Sequence, residues 1–180
     1  HLACADEPAH RANASQRRRF VDLSRRLPKA PLSLANSAGV FLPKPYHFDL
    51  VRPGLALYGI GSKHGQKLEP AFRLDARVIQ VRSIEAGAGV GYGLSFKAKR
   101  PTRVATVAMG YADGWPRQLS NRGSAYHKGI RLPFAGRVSM DTILLDVTNL
   151  PDGALGLGDD VELVGDHQTC LLYTSDAADE

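Results

Sequence analysis

Apolar positions in the first third of the chain fall at helical steps. Across residues 8–27, Phe20, Leu23 and Leu27 recur at three- and four-residue intervals among Arg, Gln and Ser, so the spacing predicts an amphipathic helix. Pro8 suits its first turn and Pro28 stops it. PLSLA at 31–35 predicts a short buried strand, NSAGVFLP at 36–43 a brief helix closed by Pro43, and HFDLVRPG at 47–54 a second strand running into a loop. Helix alternating with strand implies βαβ crossovers and hence a parallel sheet.

After about Glu69 the period changes. AFRLDARVIQVRSIE at 71–85 alternates as a strand does, GAGVGYG at 87–93 turns, and TRVATVAM at 102–109 is another strand. IRLPFAGRV, TILLDVTNL and DDVELVG follow, punctuated by Gly, Asn, Asp and Pro. No helical period runs through 70–165. The chain is expected to join the tail of an α/β domain to a mostly β domain, with the boundary inside 61–70.

Composition changes this picture little. Of 180 residues, 43% are hydrophobic and 23% charged, as in an ordinary globular protein. The formal charge of +5 raises nucleic acid as a partner, but the basic residues are scattered. The densest run, Arg17-Arg18-Arg19, lies in the predicted helix, where a solvated face accounts for it. No apolar run is long enough to span a bilayer. Cys4 and Cys170 are far apart, without metal-type spacing, which fits a reducing compartment and gives no disulfide framework. The final eleven residues, CLLYTSDAADE at 170–180, break the preceding pattern and read as translated adapter sequence, so the fold is expected to end by 169.

Several short motifs can carry chemistry. In ANSAG at 35–39, Ser37 opens a short helix after a strand and can offer a hydroxyl and nearby N–H groups to a phosphate; taken alone, the motif is better explained by Asn36 and Ser37 as plain helix caps. RPGLALYG at 52–59 puts Arg52 at a strand end beside Pro53-Gly54, where bare backbone can approach a ligand; an ordinary turn gives the same pattern. GVGYGLSF at 89–96 sets Tyr92 between glycines, presenting its ring from a turn. A phenol works as acid or base only when positioned by its neighbours, and packing is the default for a loop Tyr. GYADGWPR at 110–117 brings Tyr111, Asp113, Trp115 and Arg117 into one turn, part of which Asp113-Gly114 explains as structure. AGRVSMD at 135–141 ends in Ser139-Met140-Asp141, and Met140 by type alone belongs to a core.

In their order and spacing, HLACADEP, ANSAG, RPGLALYG, GYG, GYADGWPR and GRVSMD resemble the alanine racemases, which are enzymes of pyridoxal 5'-phosphate. The resemblance covers residues 1 to about 166. It implies a fold of α/β plus all-β class: residues 1–65 as the end of a (β/α)8 barrel, and 66–169 as the family's C-terminal β domain. It implies interconversion of L- and D-alanine by two-base proton transfer at Cα, supplying D-alanine for cell-wall peptidoglycan in the cytoplasm. Ser37 and the N–H groups of Gly54 and Leu55 would bind the cofactor phosphate. Arg52 would face the pyridine nitrogen, with His1 beside it. A guanidinium keeps its proton, so the ring nitrogen stays unprotonated, which favours simple proton exchange over transamination. Tyr92 would be the catalytic base toward L-alanine, Tyr111 would stand at the substrate entrance, and the Met140 backbone would meet the substrate carboxylate. Asp6, Arg117 and Arg137 would line the entry corridor. The family pairs as a homodimer, with this tyrosine reaching the other subunit's active site.

The resemblance also implies that the lysine bonding the cofactor precedes His1, so the chain reads as a fragment expected to lack racemase activity by itself and to be poorly soluble. Relatives acting on serine, lysine or arginine share this plan and remain open, because part of the pocket lies in the other half. A non-catalytic cofactor carrier or a plain β binding module accounts less well for the long β segment with Tyr92.

Overall fold

The computed structural model describes residues 1–61 and 68–169. It divides into two compact units, His1–Ala71 and the chain from Phe72 onward. The boundary expected at residue 65 and the adapter-like segment 170–180 lie outside the described residues.

The first unit is built around α1 (Arg11–Ser24), three residues shorter at each end than the 8–27 pattern predicts. His10 caps the start, its Nδ1 accepting from Ala12 N at 3.2 Å, which leaves Pro8 outside the helix. At the far end Leu27 N donates back three residues to Ser24 O at 3.2 Å, a tightening turn before Pro28. Phe20 packs edge-on against Phe48, centroids 5.0 Å apart, over a core of Leu2, Ala5, Leu34 and Leu42. Leu23 and Leu27 remain largely exposed. Asn13, fully buried, ties the helix down by donating through Nδ2 to the carbonyls of Cys4 (3.0 Å) and Glu7 (2.9 Å).

The two predicted strands of this unit shrink to one parallel bridge, Ser33 to Leu50. Arg52 N to Ala35 O at 2.9 Å and Asp49 N to Leu32 O at 3.0 Å extend the pairing slightly. Leu32 N–H goes instead to the Asp49 carboxylate, at 2.8 Å, so a side chain ends the ladder. The brief helix expected after them is a single 3-10 turn at Ala38–Phe41. Among the described residues no helix is long and apolar enough to cross a membrane.

The second unit is a six-stranded antiparallel sheet. Its strands are β1 (Leu74–Ile84), β4 (Thr102–Val107), β5 (Ser124–His127), β6 (Ile130–Pro133), β7 (Ile143–Asp146) and β8 (Asp160–Val164), in the order β6-β5-β8-β1-β4-β7. β1 pairs first with β8 and then with β4, with an irregular register between Val78 and Gln80. There Val78 N donates to Asp159 O and its carbonyl accepts from Gly158 N, both at 2.8 Å. Such a bulge bends a strand and adds twist. The two ends of the sheet meet through a bridge from Phe134 to Leu145 and Ala135 N to Leu144 O at 2.7 Å, so the sheet curls toward a closed barrel. Val78, Val107, Leu132, Ile143, Leu145, Val161 and Leu163 fill its interior. A separate hairpin, β2 (Gly89–Val90) with β3 (Phe96–Lys97), carries the GYG turn at its tip.

Candidate functional site

Two clusters of the expected residues form, one within each unit. In the first, the Arg52 guanidinium donates through Nη1 to Ser33 Oγ, and its Nη2 lies 3.5 Å from His1 Nδ1. The other ring nitrogen of His1 is 3.2 Å from Asn36 Nδ2, while Asn36 Oδ1 accepts from Gly39 N at 3.0 Å. Asn36 and Arg52 thus hold the imidazole edge-on from both sides. A neutral imidazole has one acceptor nitrogen, so it accepts from one of these donors at a time. Arg52 is positioned by its backbone bond to Ala35, and Ser37 lies two residues further along that segment.

Ser37 Oγ sits 2.7 Å from Gly54 N and 3.3 Å from Ala56 N. A hydroxyl and two backbone donors therefore converge beside Leu55, at the start of the turn Leu55–Tyr58. A Cβ on Gly54 would come within 3.8 Å of that hydroxyl, ordinary contact that narrows the approach. Here both N–H groups donate to the Ser37 hydroxyl oxygen; turned to an anion instead, the hydroxyl and these N–H groups would form a cradle whose chemistry fits the phosphate of a phosphorylated cofactor. The guanidinium nearby fits an aromatic nitrogen that must accept a hydrogen bond. Asp6 is exposed in the same unit.

The second cluster is an open cleft of about 540 Å³, lined by Tyr92, Arg82, Arg137, Met140 and Asp141 among others. Tyr92 is 69% exposed, and its flanking backbone explains why. Gly91 adopts φ 76°, ψ −179°, a region essentially reserved to glycine, and Gly93 and Leu94 also have positive φ. The turn leans on the Gly136-Arg137 backbone: a Cβ at Gly91 would lie 3.4 Å from Arg137 N, and one at Gly93 3.7 Å from the Arg137 guanidinium carbon.

Met140 is more than half exposed at the tip of a turn, not in the core that its residue type implies. The reason is local: Ser139 Oγ donates to Thr142 O (2.7 Å) and accepts from Thr142 N (3.1 Å), which pinches Met140 and Asp141 outward. The GYADG turn is bonded to this one by Tyr111 N to Ser139 O (3.0 Å) and Ala112 N to Met140 O (2.9 Å). Arg117 stacks over the Tyr111 ring at 5.5 Å. Tyr92, Arg137 and Met140 thus line one cleft, and backbone bonds join the turn that carries Tyr111, with Arg117 over its ring, to the Met140 turn. The sequence marked Asp141 as part of AGRVSMD without giving it a role, and nothing in the pattern marked Arg82, though both line the cleft.

Comparison with known proteins matches residues 1–62 to the alanine racemase N-terminal domain model and residues 71–180 to the alanine racemase C-terminal domain model. The chain belongs to the alanine racemase family. It is 51% identical over 179 residues to a catabolic alanine racemase of Agrobacterium fabrum, covering 98% of this chain and 46% of that protein. With a catabolic alanine racemase of Mesorhizobium japonicum the identity is 54% over 171 residues, covering 94% and 44%. The crystal structure of the Bartonella henselae alanine racemase, which has covalently bound pyridoxal phosphate, superposes with a TM-score of 0.85 at 46% identity. That match covers 94% of this chain and 47% of the other. The chain spans about half the length of the alanine racemases it matches.

A smaller cleft of about 300 Å³ on the alanine racemase β unit is lined by Glu162, His167, Arg73 and Tyr126 among others. Buried Glu162 accepts from His167 N (2.8 Å) and faces His167 Nδ1 at 3.2 Å, and the His167 ring stacks on Tyr126. Burial pushes the Glu162 carboxyl up, but the His167 backbone and ring bonds outweigh it and the net effect holds it below its ordinary value. A depressed folded-state value stabilises the protein above the unfolded value near 4.5 and loses that stabilisation as pH falls through the folded one. Glu162→Gln is expected to cost about 1–2 kcal/mol at neutral pH and to flatten the decline in stability below pH 4.5, read from thermal unfolding across pH. A variant whose acid limb matches the parent would sink this account.

Proposed function

We propose that this chain supplies the cofactor-cradling and substrate-facing C-terminal half of an enzyme that interconverts L- and D-alanine with pyridoxal 5'-phosphate, for peptidoglycan synthesis in the cytoplasm. The observation that carries the reading is the pairing of 51–54% identity to alanine racemases across nearly the whole chain with the two clusters above. The first unit then corresponds to the closing segments of a (β/α)8 barrel.

Ser37, with the N–H groups of Gly54 and Leu55, would hold the cofactor phosphate. Arg52, oriented by Ser33 and His1, would donate to the pyridine nitrogen and leave it unprotonated. When bound, the cofactor acidifies the Cα–H of the attached amino acid. The chain's own contribution is positional. Racemisation requires a proton to leave one face of Cα and another to arrive on the opposite face, so it needs two groups fixed on opposite sides. Tyr92 is the group for the L side, in a homodimer where each Tyr92 serves the partner subunit's active site. As the phenolate it would take the proton from Cα of L-alanine and become the phenol, which would return that proton in the reverse reaction. Tyr111 narrows the entrance, Met140 N–H meets the substrate carboxylate, and Asp6, Arg117 and Arg137 steer the zwitterion inward.

The test is turnover of L-alanine, L-serine and L-lysine by the full-length racemase. Alanine is expected to dominate, and serine or lysine turned over faster than alanine would overturn the assignment. For the phosphate cradle, Ser37→Ala removes one hydrogen bond to a charged group, worth about 1.5–3 kcal/mol. Cofactor titration followed by visible absorbance should show at least about tenfold weaker binding. Unchanged affinity would remove Ser37 from the cradle.

A further inference from the structure

We propose that Asn121 is a positioning residue for Tyr92, tying the end of the Tyr92 turn to the β6–β7 connection that carries Arg137 and Met140. The inference rests on the reading of Tyr92 as an acid/base group. The turn needs an external anchor: Gly91, Gly93 and Leu94 all have positive φ, and the flanking β2–β3 ladder is short, Gly89 with Lys97 and Val90 with Phe96, continued by Ala98 N to Ala88 O and Gly87 N to Ala98 O. With its ring 69% exposed, Tyr92 takes its position from the backbone beneath it.

Asn121 supplies the anchor by gripping both sides. Its backbone sits at φ 60°, a left-handed conformation that Asn tolerates better than most residues. Asn121 N donates to Gly136 O at 3.0 Å, and Asn121 Oδ1 accepts from Gly136 N at 2.8 Å, so one residue is clamped twice. The remaining arm, Nδ2, donates to Ser95 Oγ at 3.2 Å, at the C-terminal end of the Tyr92 turn. Ser120 Oγ accepts from Val138 N at 3.0 Å and locks the same loop one step further along. A fixed loop therefore holds Gly136, beside Arg137, with two bonds and the Tyr92 turn with a third. Proton transfer needs the phenolic oxygen within hydrogen-bond reach of Cα–H, and small displacements there are costly in rate.

Ser95→Ala deletes the linking bond without touching Asn121, Ser95→Thr retains a hydroxyl, and Asn121→Ala deletes the bond together with the side-chain half of the Gly136 clamp. In the full-length racemase, Ser95→Ala is expected to lower kcat from L-alanine roughly threefold to tenfold with KM nearly unchanged, as for loss of one exposed hydrogen bond. Ser95→Thr should restore it, and the double variant should be no slower than Asn121→Ala. In the cofactor-free protein, amide exchange across 91–95 should accelerate in Ser95→Ala while the melting temperature holds. Unchanged exchange at 91–95 overturns the anchor whatever the activity. Faster exchange with unchanged kcat overturns its catalytic consequence. Tyr92→Phe then locates the fault: an inactive Tyr92→Phe leaves it with Asn121, whereas a fully active one leaves it with the role given to Tyr92.

Discussion

Tyr92→Phe in the full-length racemase is expected to reduce turnover of L-alanine by roughly two to four orders of magnitude, the range for removing a positioned acid/base group. The substitution removes one oxygen from a ring that is already mostly in solvent, so folding should be untouched. Nothing in the turn depends on the hydroxyl, since its shape is set by the backbone of Gly91, Gly93 and Leu94. The loss should fall on kcat rather than KM, because the role proposed for the phenol is to move the proton and the proposed carboxylate contact is the Met140 N–H. Exchange of the α-hydrogen with solvent from D-alanine should survive better than exchange from L-alanine, since only the L-side group is missing. Equal losses in the two exchange reactions would argue that Tyr92 shapes the site without moving a proton.

How much of this was legible beforehand depends on how local each feature is. The change of period after Glu69 forecast the all-β character of the second unit, because alternation along a strand is written in neighbouring residues. Strand β5 escaped notice. Its four residues, SAYH, carry no alternation long enough to detect, and they pair because Lys128 and Gly129 take the two left-handed positions of a tight hairpin turn. The parallel strands of the first unit were predicted as strands and are a single bridge, because the Asp49 carboxylate takes the Leu32 N–H. That competition is a three-dimensional fact. The motifs singled out Tyr92, Arg137 and Met140, which line one cleft, but not what joins them. Asn121 lies in the unremarkable stretch SNRG, and its grip on Gly136 and Ser95 spans 15 and 26 residues of sequence.

Gly110→Val should be severely destabilising to the β unit, costing about 3–5 kcal/mol. Gly110 has φ −146°, an extended value open to any residue, so the cause is space alone. A Cβ there would lie 2.1 Å from Met140 O, 2.3 Å from Met140 C and 2.5 Å from Asp141 N, all backbone atoms that no side-chain rotation can clear. The GYADG turn would have to separate from the Ser139–Thr142 turn, breaking Tyr111 N to Ser139 O and Ala112 N to Met140 O. Two such bonds contribute about 1 kcal/mol each, and forced overpacking adds about 1–3 more. Gly114→Ala is the control, because φ 91° strains any side chain while nothing lies within 4 Å of the added carbon. It should cost only about 1–2 kcal/mol, the penalty of a left-handed backbone. Thermal unfolding of the two variants in the full-length racemase separates the causes, with Gly110→Val melting well below Gly114→Ala. The activity that Gly110→Val retains should show a raised KM, because the displaced Met140 backbone is the one assigned to the substrate carboxylate. If Gly114→Ala is the less stable of the two, the close approach of these two turns does not hold the site together, and backbone conformation alone does.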